Sequence, residues 1–441
     1  MRCDIQRKGF QEMNQADNTD RISLRRGGFE TRPCKTSTTR VAPRRGGFET
    51  RPYLFTIIVV LFLCSVTSQT LAAGIFDPKL KWRTVQTEHF YIHYHQGLEN
   101  LALETAQEAE RIYTELNPRL DQVPRAKIHL VIADTSDFSN GETRIFPYPQ
   151  ILIYPTTPPS DSSLDNYDDW LRTLLMHEYS HMLVLDMSRG IPAALRMLFG
   201  YTISMNAFVP GWWREGASVY EETINTASGR GRSVYMDMVL RCAVLENRFP
   251  SVDRAGDGVI RWPDGEASYM FGGAFYSYLG QKYGEQKLTE FQHRYSGQLF
   301  PFEMNRAARR VFGKDFAPLW QEWQKSLTEK YRAQESSIRE IGIMEGVALT
   351  DRGYGIGKPE WLPDSTRIIY YDYSPQSGGS VRSIKPDGTG ETGLFTAQTF
   401  GSMNLDAKGE RLAYARLIPY QGNPSKRFYL YTDLYAYNFK T

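Results

Sequence analysis

Apolar and polar positions alternate with a period of two over residues 88–95, EHFYIHYH, which predicts a strand. The period becomes helical over residues 98–118. Residues 126–133, AKIHLVIA, form a buried strand-length run, and residues 149–155, PQILIYP, have the β-branched and aromatic makeup of another strand. Residues 173–186, TLLMHEYSHMLVLD, then read as one buried helix. Asp165, Asp168 and Asp169 crowd its start, where negative charge suits the helix dipole, and Arg189-Gly190 followed by Pro192 predicts its stop. Residues 191–213 are strongly apolar, but Pro192, Arg196, Gly200 and Asn206 argue against a membrane span; a helix and loop covering a cleft is the expectation. Helical periodicity returns after the Pro210-Gly211 turn and at 231–247, 266–283, 286–296 and 316–334. Strands first and helices later predict an α+β fold.

The pattern changes again near residue 345, where Tyr, Gly, Pro and short alternating strands take over. GKPEWLPDSTRIIYYDY (357–373) aligns with GSMNLDAKGERLAYARL (401–417) at an offset of 44, pairing Gly357 with Gly401, Arg367 with Arg411 and Tyr370 with Tyr414. Short strands repeating every 40–45 residues or so signal propeller blades. The Pro-x-Trp-x-Pro-Asp turn leading into a strand resembles TolB-like β-propellers, although the second copy lacks the Trp and Pro. Two blades cannot close a ring of roughly four to eight, so this segment is expected to be the front of a longer propeller.

Composition changes the picture mainly at the N-terminus. The chain has 441 residues and a net charge of +2, but residues 1–52 carry 12 Lys and Arg against 6 Asp and Glu, leaving 40 against 44 for the rest. The slightly acidic body disfavours a nucleic-acid surface. RRGGFETRP occurs twice, at 25–33 and 44–52, without apolar period. It resembles repetitive intergenic DNA read as protein, which would place the true start later; a disordered basic arm for an acidic partner is the competing reading. Residues 53–73 hold an apolar run of about 12–14 residues after Arg51 and end in small residues, as a secretory signal peptide does. Cleavage there leaves Cys242 as the one cysteine, so no intrachain disulfide is expected. The domain expectation is therefore a non-native or disordered extension at 1–52, a signal peptide at 53–73, a catalytic domain at 75–340 and truncated propeller repeats at 350–441. An exported, periplasmic or envelope-associated location follows, without a transmembrane helix after cleavage.

The chemistry sits in the buried helix. His177 and His181 are four apart and stack on one helical face, with Glu178 beside them. This H-E-x-x-H spacing lets two imidazoles aim at one Zn²⁺ while the carboxylate takes a proton from water. A second His-x-His pair, His93 and His95, lies on the predicted strand at 88–95, where a half-exposed strand is the simpler reading; His129 is read as a sheet residue. A catalytic zinc needs a third ligand. Downstream, PGWWREGASVYEET (210–223) puts Glu215, Val219 and Glu222 on one stripe. Glu215, Gly216, Tyr220 and Glu222 resemble the E-G-x-x-x-Y-x-E helix of gluzincin metallopeptidases, whose first Glu is the third ligand. Ala217 and Ser218 depart from the commoner bulky-then-Ala pair, and Glu221 and Glu222 are the competing carboxylates. SYMFGGAFYSYLGQKYG (268–284) is similar to the Tyr helix of the aminopeptidase-like branch, which implies that Tyr269 donates to the oxyanion, with Gly272 at the family's Gly; a packing Tyr is the alternative.

The resemblance spans roughly residues 85–335. It implies a zincin-like domain with one Zn²⁺ held by His177, His181 and Glu215, Glu178 as general base then acid, and a peptide or protein substrate. No G-x-M-E-N-type segment precedes the helix, which disfavours exopeptidase action, and the 149–155 strand is expected to edge the cleft and pair with extended substrate. Two other functions fit: a propeller-based binding or scaffold protein with a vestigial zinc domain, its partner held through the propeller, and a zinc hydrolase of a non-peptide amide.

Overall fold

A computed structural model describes residues 76–441, apart from 160–161, 258, 260–261, 264, 301, 345, 352–354, 375–377, 398, 418–430 and 441. The basic extension (1–52) and the signal peptide (53–73) lie outside the described residues. The described chain mixes helix and sheet, as the α+β expectation has it.

Strands β1 (Trp82–Gln86), β2 (Phe90–His95), β3 (Ile128–Ile132), β4 (Asn140–Arg144) and β5 (Gln150–Tyr154) form one sheet in the order β1-β2-β3-β5-β4. β2, β3 and β5 run parallel, and β1 and β4 flank them antiparallel. Helix α1 (Glu99–Leu120) makes the crossover from β2 to β3. The alternation of β2 sends Phe90, Ile92 and Tyr94 to one face, where they meet Ile128, Leu130, Ile132, Ile151 and Ile153 in a core shared with α1 and with α2 (Trp170–Asp186). The expectation for 149–155 is corrected here: β5 lies between β3 and β4, and the edge belongs to β4. β4 reads NGETR and has no apolar run, so periodicity gives it no signal. Its pairing with β5 makes it a strand, and a short polar sequence is what a free edge tolerates.

In α2 every residue from Thr173 to Asp186 is buried, and Asp169 caps the start by accepting from the Arg172 amide at 3.0 Å. The helix ends at Asp186, and Pro192 lies in the first turn of the next helix, α3 (Gly190–Phe199). A proline there loses no intrahelical hydrogen bond, so it helps to open α3 rather than to stop α2. A buried ion pair closes the junction: Arg196 donates to Asp186 Oδ1 at 2.5 Å and to its main-chain oxygen at 2.6 Å.

Short 3₁₀ turns at Gly200–Thr202 and Met205–Phe208 lead to α4 (Gly211–Asn225), then α5 (Val234–Leu245), α6 (Ala267–Tyr283), α7 (Glu285–Ser296), α8 (Met304–Val311) and α9 (Phe316–Ile341). Trp212, Trp213, Phe275, Phe291, Phe316, Trp320 and Trp323 fill the centre of this lobe. α4 and α6 approach backbone to backbone. A Cβ on Gly216 would stand 2.5 Å from the Gly272 carbonyl oxygen, and one on Gly272 would collide with the Trp212 carbonyl. Only glycine permits this crossing.

Residues 355–438 form two antiparallel meanders, β6 (Gly355–Trp361), β7 (Ile368–Ser374), β8 (Gly378–Ile384) and β9 (Thr392–Thr396), then β10 (Thr399–Leu405), β11 (Arg411–Leu417) and β12 (Thr432–Asn438). β6 and β10 start 44 residues apart, and each carries a register shift near its middle, between Gly357 and Glu360 and between Phe400 and Met403. The repeat in the sequence is thus a repeat in pairing. Ile369, Val381, Met403, Leu412 and Tyr414 share one core. Asp137 Oδ2 accepts from the Thr432 amide and hydroxyl at 2.6 and 2.9 Å, and the Tyr431 hydroxyl donates to the Asp134 carbonyl at 3.0 Å. Among the described residues no helix is long and apolar enough to cross a membrane.

The meanders have their own core, and their hydrogen bonds to the 134–137 loop are exposed, where each adds little to stability. Limited proteolysis of the purified chain, followed by mass spectrometry, is therefore expected to cut first between residues 342 and 351, which are exposed or half-exposed where described and carry no regular structure. Expressed alone, 75–340 stays soluble and folded. An unfolded 75–340 product beside a compact 75–441 form would place the meanders inside the same folding unit.

Candidate metal centre

Helix α2 is buried on all sides, so its polar side chains must find partners inside the protein. Those of His177 and His181 find α4. His181 Nε2 lies 3.1 Å from His177 Nε2 and 3.1 Å from Glu215 Oε2, and His177 Nε2 lies 3.7 Å from the same oxygen. All three residues are buried, and they form the group among the described residues that can hold a metal ion. Ligands at metal bonds of about 2.0–2.1 Å and tetrahedral angles stand about 3.3 Å apart. The triangle of 3.1, 3.1 and 3.7 Å fits that edge length.

The outer nitrogens are tied down. His177 Nδ1 lies 2.8 Å from Glu222 Oε2, and a carboxylate only accepts, so Nδ1 carries the proton and Nε2 presents its lone pair. Arg230 Nη2 crowds Nδ1 at 2.5 Å, and Glu222 Oε2, 2.7 Å from that Nη2, takes protons from both. On the other imidazole, His181 Nδ1 donates to Ser218 Oγ at 3.0 Å, Ser218 bonds Ser180 Oγ at 2.6 Å, and Ser180 donates to the His177 carbonyl at 2.8 Å. This chain closes consistently with the proton on His181 Nδ1. Both imidazoles then aim lone pairs at one point, held there by the hydrogen bonds on their outer nitrogens.

Charge favours a cation at that point. Burial would raise the Glu215 carboxyl, but His181 and His177 hold it far below the usual carboxylate range. Burial would likewise raise Glu222, but the Arg230 guanidinium holds it down to about 2. Burial and Arg230 push the His177 imidazole down, yet Glu215 and Glu222 outweigh them and raise it. The site thus stabilises positive charge against the cost of burying it.

Glu178 stands apart from the three converging atoms. Thr143 on β4 bonds its Oε2 at 2.7 Å and its main-chain oxygen at 2.9 Å. Gly141 on the same strand leaves the space that the carboxylate occupies, since a Cβ there would lie 2.5 Å from Oε1. Tyr269, on α6, stacks on His177 with centroids 6.2 Å apart, and the Arg230 guanidinium, in contact with His177, lies 4.9 Å from the centre of the same ring. Burial and the negative charge of Glu215 keep its phenol protonated.

Of the competing carboxylates, Glu222 sits one shell back and Glu221 turns to Arg119 Nε at 2.7 Å. The His93 and His95 side chains do not converge. His93 bonds Thr84 Oγ1 and His129 Nδ1, and His95 Nε2 accepts from the Asp134 amide. His129 is therefore a sheet residue, as expected, but paired with His93. Thr143, Gly141 and Arg230 escape sequence reasoning. None sits in a pattern: the first two are on a short polar strand, and Arg230 is in a Gly-Arg-Gly-Arg turn. Ser218, three residues after Glu215, stands out in the sequence only as a departure from the family pattern.

Two outcomes test this geometry. The purified chain should hold about one divalent ion, and its addition should raise the melting temperature of the wild type but not of His177→Ala, His181→Ala or Glu215→Ala, because a ligand that binds only the native state stabilises it. Metal analysis with normal content in any of these variants would remove that residue from the site. Gly216→Val keeps every ligand but pushes α4 from α6; it should lower metal affinity by about 10–100-fold, the size of effect expected when a ligand loses the group that orients it. Unchanged affinity by calorimetric titration would mean the crossing does not position Glu215.

Compared with known protein families and with curated proteins, the chain matches none.

Proposed function

We propose that the protein is a zinc-dependent metallopeptidase of gluzincin type, exported by the segment at 53–73 and joined to TolB-like propeller repeats. The observation that carries this is the pairing of the His177–His181–Glu215 triangle with a buried carboxylate, Glu178, held by Thr143 over Gly141. A structural metal site has no use for such a base. Two imidazoles and one carboxylate suit zinc. When bound, zinc supplies Lewis acidity that makes water a nucleophile near neutral pH.

This chain's own residues supply the rest. Glu178 takes the water's proton and later delivers it to the leaving amine, and Thr143 fixes the orientation of its carboxylate. Tyr269 keeps its proton and donates to the oxygen that gains charge. Glu222 and Arg230 orient His177, and the serine pair orients His181. The free edge of β4 lies beside Glu178, so an extended peptide can add to the sheet there. That supports a peptide or unfolded protein segment as substrate and endopeptidase action.

The test is digestion of a peptide library with and without chelator. Glu178→Gln should keep its metal and lose almost all turnover, because an amide cannot take the proton. Tyr269→Phe should lower turnover by about 10²–10³-fold, the cost of one oxyanion donor. Chelator-resistant cleavage, or full activity in Glu178→Gln, would defeat the reading; metal-loaded protein that cleaves no peptide would favour the scaffold or the non-peptide amide.

A further inference from the structure

Helix α3 is inverted. Its one charged residue, Arg196, is buried against Asp186, while Ile191, Ala194, Met197 and Leu198 form an outward stripe at positions three, four and seven apart. Met197 and Leu198 are each 78% exposed. The stripe continues on two neighbouring segments. Phe208 packs edge-on against Phe302, with centroids 5.9 Å apart. Phe300 and Phe302, 64% and 84% exposed, stand in the turn between α7 and α8. The α3 start lies against the α7 end, where the Arg189 amide bonds the Ser296 carbonyl. Exposed apolar side chains on adjoining segments mark an interaction site.

Charge identifies the occupant. From Glu290 to Asp315 the chain has five Arg and Lys against three carboxylates, and Arg309 and Lys314 pair with Asp315 and Glu322, which leaves Arg310 to add to the positive balance. α8 buries Met304, Ala307, Ala308 and Val311 and turns Arg306, Arg309 and Arg310 outward. Between α7 and α8 lies an open cleft of about 600 Å³, lined by His293, Arg294, Arg306 and Arg310, with Phe300 at its wall and Glu290 and Glu303 pairing with Arg294 and Arg306. Basic groups around a cleft suit a phosphate, and protruding Phe, Leu and Met beside them suit acyl chains. Helix α3 is far shorter than the roughly 20 residues that a span requires, so it would lie in the interface.

We infer that this face docks on the surface of a bilayer containing anionic phospholipid: Met197, Leu198, Phe300 and Phe302 enter the acyl boundary, and Arg294, Arg306 and Arg310 take the headgroup phosphate. The inference does not depend on the peptidase reading. It is tested by vesicle flotation with the full chain, using phosphatidylcholine alone and phosphatidylcholine mixed with phosphatidylglycerol. The chain should bind the mixed vesicles more tightly. Leu198→Ser with Phe302→Ser, and separately Arg306→Gln with Arg310→Gln, should each weaken that binding by about tenfold or more. Circular dichroism and metal content should stay unchanged, since these side chains are exposed. Equal binding by all three proteins would assign attachment to another segment, such as 53–66, and overturn the inference. So would failure of the wild type to float, or a dimer dissolved by the Leu198→Ser, Phe302→Ser pair without any dependence on lipid.

Discussion

Five ionisable side chains, His177, His181, Glu215, Glu222 and Arg230, are buried together where α2 meets α4, and the lobe is arranged around their mutual neutralisation. Each would be costly to bury alone. Together they are linked: Arg230 holds Glu222, Glu222 holds His177, and the two imidazoles face Glu215, whose other oxygen accepts from Arg214 Nε at 3.0 Å. This requires α4 to lie against α2 with Glu215 and Glu222 both turned inward. It also requires α6 to press against the other side of α4, which brings Tyr269 over His177 and leaves room at Gly216 and Gly272 for backbone alone. Removing one member leaves a buried charge without its partner, a loss of about 3–5 kcal/mol for a buried pair.

The sheet contributes to the same place from the opposite side. β4 is the weakest strand by sequence, yet it supplies both the hydrogen bond and the space that hold Glu178. A bulky residue at 141 would occupy the carboxylate's position, and an apolar one at 143 would release it. The polar edge that keeps β4 from pairing indiscriminately also leaves it open for an extended chain beside the Glu178 carboxylate. α3 shows the reverse logic. Its arginine is spent on the Asp186 pair that seals the end of α2, so its outward face has nothing polar to offer water.

Much of this fold is legible in the sequence because periodicity is local. The strands at 90–95 and 128–132 and the helices at 99–120, 170–186, 267–283 and 285–296 each announce a buried stripe within their own residues. The 44-residue repeat is legible for the same reason, since it is a comparison of the chain with itself. α8 gives no such signal: it has eight residues, and its buried face rests on two alanines beside Met304 and Val311. The end of α2 is ambiguous in the sequence because Pro192 punctuates the chain without saying which helix it belongs to.

The sequence by itself determined the chemistry on single elements. His177 and His181 share a helical face whatever else the chain does, because four residues make about one turn. Glu215 could be picked out only through its likeness to a family motif, and its rivals Glu221 and Glu222 were separated only by packing, which turns one to Arg119 and the other to His177. Tertiary structure alone brought Thr143 to Glu178 across 35 residues and Arg230 to His177 across 53. It also moved the cleft edge from β5 to β4 and turned the apolar stripe of α3 outward. The reason is physical: spacing along the chain encodes neighbours within a turn or a pleat, whereas contacts between elements depend on which faces must be buried together.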